Sequence, residues 1–364
     1  MSIFTLNIMP YITASILFQL GAVIFKEIGN LKKEGEVGRK KINQYTRYLT
    51  VFLALMQGYG IAVGIENMAT SYGPLVVYHG LGFKVATMLS LVAGTIFVMW
   101  LGEQITVRGI GNGSSVIIFS GIVAGLPSGL LTFFEMGKVN TISTMGIIIV
   151  LLLAVALIFI IVFVERAQRR ILVQYPKRQV GNKIYSGDSM HLPLKINTAG
   201  VIPPIFASSI LLFPATLAGF SMNGSESSWR DWVMLYLSHG KPLYLVSYLL
   251  LIVFLSFFYT SIIFNPIETA ENLRKNGGII LGRRPGRNTV ELLDYILTRL
   301  TVVGALYMAI ICIVPELLIS KYSIPFYLGG TSLLIVVNVV MDVFSQIQSY
   351  MLSNKYEGLL KKKR

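Results

Sequence analysis

The chain has 364 residues, of which 54% are hydrophobic and only 13% charged, with a mean hydropathy of +0.67. Water-soluble proteins carry about 25% charged residues, so this composition excludes an ordinary soluble domain and points to a polytopic membrane protein. The net charge of +14 would suggest nucleic acid in a soluble protein, but in a membrane protein its placement is first a topological signal.

Runs of about 20 apolar residues cross a hydrocarbon core of about 30 Å as helices. In chain order, such runs predict nine spans, near 3–25, 48–66, 83–102, 115–134, 142–164, 199–220, 242–264, 300–319 and 324–347. The first, "MSIFTLNIMPYITASILFQLGAVIF", has no basic n-region and is long enough to span, so it does not read as a cleavable signal. Nine spans leave two sets of connections. The set 26–47, 103–114, 165–198, 265–299 and the tail 348–364 holds 26 of the 31 Lys and Arg residues. The other holds Lys84, Lys138, Arg230, Lys241 and Lys321. This bias predicts that the basic set and the C-terminus are cytosolic and the N-terminus outside. Three of these connections, 26–47, 165–198 and 265–299, are long and basic, and the tail reads as flexible. The longest outer loop, near 221–241, holds "NGSESSWRDW". No linker divides the chain, so 1–364 reads as one transmembrane domain.

Between the third and fourth spans lies "GEQITVRGIGNGSSVIIF". It lacks the G-x-x-x-x-G-K-[ST] spacing of a Walker loop, and Ser114 stands at the third Gly position of a dinucleotide loop. The run before it is a membrane span rather than a strand, so the glycines predict a tight turn and Asn or Ser a helix cap. Catalysis finds little support. His79, His191 and His239 are scattered over loops, there is no H-E-x-x-H, and Cys312 is the single cysteine, which allows neither a disulfide within the chain nor a Cys-based metal site. A secondary transporter is the rival reading, since such proteins place ionisable groups near the midplane. Lys84, Glu103, Glu165, Glu316 and Asp342 instead lie near span ends, and the deep polar residue of the last span, Asn338, is uncharged.

The stretch "LGEQITVRGIGNGSSVIIFSGIVAGLP" closely resembles the segment joining the fourth and fifth membrane helices in the bacterial branch of the SecY family, the channel subunit of the secretion translocon. "IMPYITASILFQL", "KKEGEVGRKKINQYTRY", "VERAQRR", "HLPLKINTAGVIPPIFASSILLFPAT", "FFYTSIIFNPIETAENLRKNG", "RPG" at 284–286, "TRLTVVGALY" and "PFYLGGTSLLIVV" agree in the same order. The resemblance covers essentially the whole chain. It implies an all-α polytopic bundle in two halves that passes unfolded secretory proteins across a bacterial inner membrane and releases hydrophobic segments sideways into lipid. The rival readings are a small-solute transporter and an inactive truncated relic. The family has ten membrane helices; positions matching the first helix and the plug helix are not in this sequence.

The resemblance also implies site residues. A ring of aliphatic side chains at the pore constriction maps to Ile8, Ile12, Ile118, Ile205 and Ile335, with Ser114 where a further ring residue stands in the family. Branched apolar side chains can fit around a moving chain while offering ions no polar partner. A lateral gate with polar residues at its seam maps to Gln19, Asn112 and Ser209. The span near 199–220 has Pro203, Pro204 and Pro214, each removing a backbone donor and favouring kinks. Docking of the ribosome or a SecA-type ATPase maps to Arg166, Arg169, Arg170, Lys177, Arg178 and Arg284, where for any single charge topology alone is the simpler account, except for Arg284, whose Pro-Gly neighbours point to a shaped loop tip. Expected partners are SecE-type and SecG-type subunits, the SecA-type ATPase, the ribosome, secretory preproteins and lipid. The channel itself is expected to be passive, with no cofactor or metal, its energy supplied by the ATPase or the ribosome.

Overall fold

A computed structural model describes residues 2–361 except 67–68, 71–72, 75, 77–79, 139–142, 176–177, 181–182, 186–188, 221–234, 236–240 and 323–328. The membrane-length helices are α3 (Glu36–Glu66), α4 (Leu81–Arg108), α5 (Gly113–Lys138), α6 (Thr144–Arg166), α8 (Pro242–Ile263), α10 (Arg287–Tyr322) and α11 (Gly330–Lys361). Each holds a stretch long and apolar enough to cross a membrane. Two further helices occupy expected spans: α1 (Met9–Ile24), with 16 residues, and α7 (Ile202–Phe220), whose apolar stretch Ile202–Leu211 is short. Every expected span is thus a helix, seven of them of membrane-crossing length among the described residues.

The helices are inside-out relative to a soluble protein. On α6 the exposed residues Leu152, Val155, Phe159 and Phe163 follow one another at helical spacing, and Phe159 is 72% exposed. Leu157 and Ile161 on the opposite face are buried. Such an apolar outer stripe is stable only against lipid. Buried hydroxyls satisfy themselves along their own helices: Thr50 donates to the Thr46 carbonyl (2.7 Å), Thr95 to Leu91 (2.9 Å) and Ser256 to Ile252 (2.7 Å). These three hydroxyls then need no water inside the bundle.

Two clusters organise the spans. One joins Leu6, Ala54 of α3 and Leu91 and Val92 of α4. The larger one collects α6, α7, α8, α10 and α11 and takes in Ile16 of α1. The chain from Leu6 into α1 therefore touches both clusters. The hairpin α3–α4 is pinned at both ends. Arg47 donates to both oxygens of Glu103 (2.8 and 2.7 Å), and Lys84 pairs with Glu66 at 2.9 Å. Beyond α3 a minimal pair, β1 (Ala69–Thr70) with β2 (Gly73–Pro74), turns the chain.

Three expectations change on the basic side. Segment 26–47 is not a loop: it holds α2 (Lys26–Lys33) and the first turns of α3, which at 31 residues is about 46 Å long and projects well beyond a hydrocarbon core of about 30 Å. The tail continues α11 as helix to Lys361 instead of fraying. The connections 165–198 and 265–299 build one body. Strands β3 (Gln168–Gln174), β6 (Ser189–Lys195) and β7 (Ile279–Ile280) form an antiparallel sheet in the order β6-β3-β7, beside a small hairpin of β4 (Arg178–Val180) and β5 (Lys183–Tyr185). Ile171, Val173, Leu194, Ile280, Ala270 of α9 (Pro266–Lys275) and Leu293 of α10 form its core. Asn265 caps α9, its side chain accepting from the Ile267 and Glu268 amides, with Pro266 preset for the first helical turn.

Candidate functional site

Three of the five ring candidates converge. Ile12 on α1, Ile205 on α7 and Ile335 on α11 are half-buried and pack against the same large cluster. Ile8 is fully buried just before α1 and leans the other way, its Cδ1 lying 3.2 Å from where a Cβ on Gly102 would stand, beside Ile117 Cδ1. Glycine at 102 makes the space that Ile8 occupies. Ile118 is half-buried on α5, outside that cluster.

The polar seam residues are not bonded to one another. The Tyr259 hydroxyl donates to Gln19 Oε1 at 2.8 Å, joining α8 to α1. The Gln19 amide also lies 3.5 Å from Ser15 Oγ. Ser209 donates to the Ile205 carbonyl of its own helix at 2.9 Å. Asn112 Oδ1 accepts from the Ser114 amide (3.1 Å) and hydroxyl (2.7 Å), which makes it the cap of α5. It also uses up the Ser114 hydroxyl, which therefore does not stand free at the ring level. Below the Tyr259–Gln19 bond runs an apolar crevice between three helices, lined by Ile16 and Leu20 of α1, Pro203 and Phe206 of α7, and Leu255 and Phe258 of α8.

The basic candidates spread over the sheet body. Arg166 ends α6, and Arg169 and Arg170 open β3, all exposed. Alternation along the strand puts Arg169 and Arg170 on opposite faces, in register with Leu194 and Pro193. Arg178 begins β4, and Lys177 lies outside the described residues. Arg284 is exposed at a shaped tip: Gly282 and Gly286 have φ of 81° and 112°, and Thr289 donates to the Arg284 carbonyl at 3.1 Å. Arg283 stands beside it, and Arg287, which pairs with Glu291 at 3.4 Å, opens α10 just after the tip. The body is stapled to the bundle by Asn197, which donates to Glu165 Oε1 (2.7 Å) and accepts from the Gly200 amide (3.1 Å).

The SecY family profile matches residues 2–344. The chain belongs to the SecY family. It is 61% identical over 362 residues to a protein translocase subunit SecY of Rickettsia bellii, covering 100% of this chain and 83% of that one. Its fold is similar to that of a solved protein-conducting channel, with a TM-score of 0.65 at 16% identity over 96% of this chain and 82% of that one. It is also similar to Sec61 in a canine ribosome–channel complex from the endoplasmic reticulum, with a TM-score of 0.62 at 16% identity, over 96% and 82% of the two chains.

Within this SecY-family fold, two contacts were not foreseen from sequence. Tyr259 is the actual partner of Gln19; its hydroxyl in the apolar run "SFFYTSIIF" is the signal that marks it, since a buried phenol usually finds an acceptor. Gln346 reaches the Gly111 amide at 2.7 Å from 235 residues away, and nothing in the local sequence of either predicts that pairing.

Proposed function

We propose that this chain is the protein-conducting subunit of a bacterial inner-membrane translocon, moving unfolded secretory proteins across the bilayer and passing hydrophobic segments into lipid. The observation that carries this reading is the 61% identity over 362 residues with a protein translocase subunit SecY, on a helical bundle whose apolar faces point outward. Ile12, Ile205 and Ile335 form the constriction together with Ile8 and Ile118. A ring of this kind closes around a moving chain by dispersion contacts and gives ions no dipole to replace their hydration. The seam of α1 with α7 and α8 is the lateral gate, with the apolar crevice under Gln19 and Tyr259 as its lining.

Arg166, Arg169, Arg170 and Arg284 on the sheet body face a SecA-type ATPase or ribosomal RNA, and Lys177 and Arg178 of the same segment are assigned to that role from the resemblance. Guanidinium forks suit carboxylate and phosphate alike. SecE-type and SecG-type subunits complete the assembly in the membrane, and the basic side faces the cytosol. The channel performs no bond chemistry; its partners supply the energy.

The test is site-specific photocrosslinking with a secretory precursor stalled halfway. A probe at Ile205 is expected to capture the precursor, and one at Ile210, exposed on the same helix, is not. Equal capture at both positions, or capture at neither, overturns the assignment of the pore.

A further inference from the structure

The glycine loop between α4 and α5 is built as a rigid part of the first half. A Cβ on Gly113 would overlap the Gly102 carbonyl, so α5 starts in backbone contact with the end of α4. Thr106 Oγ1 donates to the Gly102 carbonyl and accepts from the Gly113 amide, both at 2.9 Å. Asn112 closes the first turn of α5. All the polar groups so far named stay within α4, α5 and their turn.

Gly111 is the exception. Its φ of 90° is open to glycine and costly for other residues, and this conformation aims its amide away from α4. That amide donates to Oε1 of Gln346 on α11 at 2.7 Å. A Cβ on Gly111 would stand 3.2 Å from Val343 Cγ2, one helical turn before Gln346. The two partners belong to different halves. α11 contributes Leu333, Leu334 and Val337 to the large cluster, whereas α5 contributes nothing to it.

We propose that Gly111 and Gln346 form a latch that holds α5 against α11 in the resting channel, on the basic side of the membrane. This rests on the channel reading above. The latch has one fixed element, a backbone amide set by the loop, and one element that can let go, a long side chain on the neighbouring helix. Ile118 lies seven residues beyond Gly111 on α5, and Ile335 lies eleven before Gln346 on α11. At 1.5 Å per residue that places the two ring residues about 10 and 16 Å from the latch. Parting of α5 from α11 at the latch therefore spreads those two ring residues first. This also gives the glycine motif a role that neither a phosphate loop nor a simple turn provides.

The test uses the full chain in its own membrane, with two reporters: a secreted protein with an intact signal peptide and the same protein with a defective one. Replacing Gln346 by Leu removes the acceptor while keeping the side chain's bulk. Loss of one partly exposed hydrogen bond is expected to raise export of the defective-signal reporter about two- to fivefold. Gln346→Glu keeps an acceptor and is expected to stay at the unmodified level. Gly111→Ala attacks the same contact from the other side, by strain and by crowding Val343, and is expected to act like Gln346→Leu; it decides the matter if the Leu variant fails to accumulate. Unchanged export of the defective reporter in Gln346→Leu and Gly111→Ala overturns the latch. So does a Glu variant that behaves like the Leu variant. Export of the intact reporter by the unmodified chain checks the channel reading separately, because its loss would refute that reading whatever the latch variants did.

Discussion

The α3–α4 hairpin and the junction of α1 with α7 and α8 both hold together segments that the bilayer alone would not order. They do so by different means. The hairpin has an ion pair at each end, Arg47 with Glu103 and Lys84 with Glu66, the latter backed by the Gly80 amide donating to Glu66 at 3.0 Å. Between them the two helices lie close, a Cβ on Gly58 standing in ordinary van der Waals contact, 3.5 Å from Met88 Cα. The junction is joined by the Tyr259–Gln19 hydrogen bond over a crevice of aliphatic and aromatic side chains. Apolar contacts between membrane helices gain little over contacts with lipid tails, so the junction can part at small cost while the hairpin cannot. In the proposed channel, the hairpin is part of a moving block and the junction is its moving edge.

The sharpest way to break this comparison is to tie each site shut. A short bis-maleimide bridge between Gln19→Cys and Tyr259→Cys is expected to lower export tenfold or more, an effect of about 1.4 kcal/mol or greater on the step it blocks. The buried Cys312 stays out of reach of the reagent. The same bridge between Arg47→Cys and Glu103→Cys is expected to leave export near normal. Loss of export from the hairpin bridge would show that α3 and α4 slide during opening, and the rigid-block assignment would fall.

A smaller effect tests the hairpin's own stability. Arg47 is half-exposed, so its pair with Glu103 contributes only about 1 kcal/mol. Arg47→Ala is expected to lower the thermal midpoint of the purified protein by a few degrees, and the exchange Arg47→Glu with Glu103→Arg to restore most of it. A double variant no better than the single one would mean that the packing of α3 on α4 carries the hairpin alone.

The bilayer made the spans legible: it demands long apolar runs, and the chain supplies them in every place expected. Boundaries were less legible. The first span was read from residue 3, yet residues 3–8 make turns, with φ of 49° at Asn7, and α1 starts at Met9. Pro10, at the head of that helix, was the local signal for the true start. The sheet body was not legible at all, because its core is assembled from Val173, Ile280 and Leu293, which lie in separate segments with no common period. Long basic connections look like solvated loops until their few apolar residues are brought together. The proposed ring rests on resemblance alone, since an isoleucine in a span looks the same whether it faces lipid, a neighbour or a pore. Asn112 was read correctly as a cap from its neighbours, whereas the partners of Gln19 and Gly111 depended on helix arrangement.

The finest test of the comparison is Tyr259→Phe. The ring keeps its packing in the crevice, and only the hydroxyl that bonds Gln19 is lost. Hydrogen bonds between membrane helices contribute about 0.6 kcal/mol on average, so the closed junction loses about a factor of three in its equilibrium with the open one. The sign follows from where the bond exists: it joins α8 to α1 only while they are together, so its loss favours separation. Export of a defective-signal reporter is therefore expected to rise two- to threefold (about the same factor), with intact-signal export unchanged. A fall in export would mean that the hydroxyl serves the open junction instead, bonding a group that the closed arrangement keeps away. In that case the Tyr259–Gln19 contact would be a resting place for the phenol, and the apolar crevice alone would hold the junction shut.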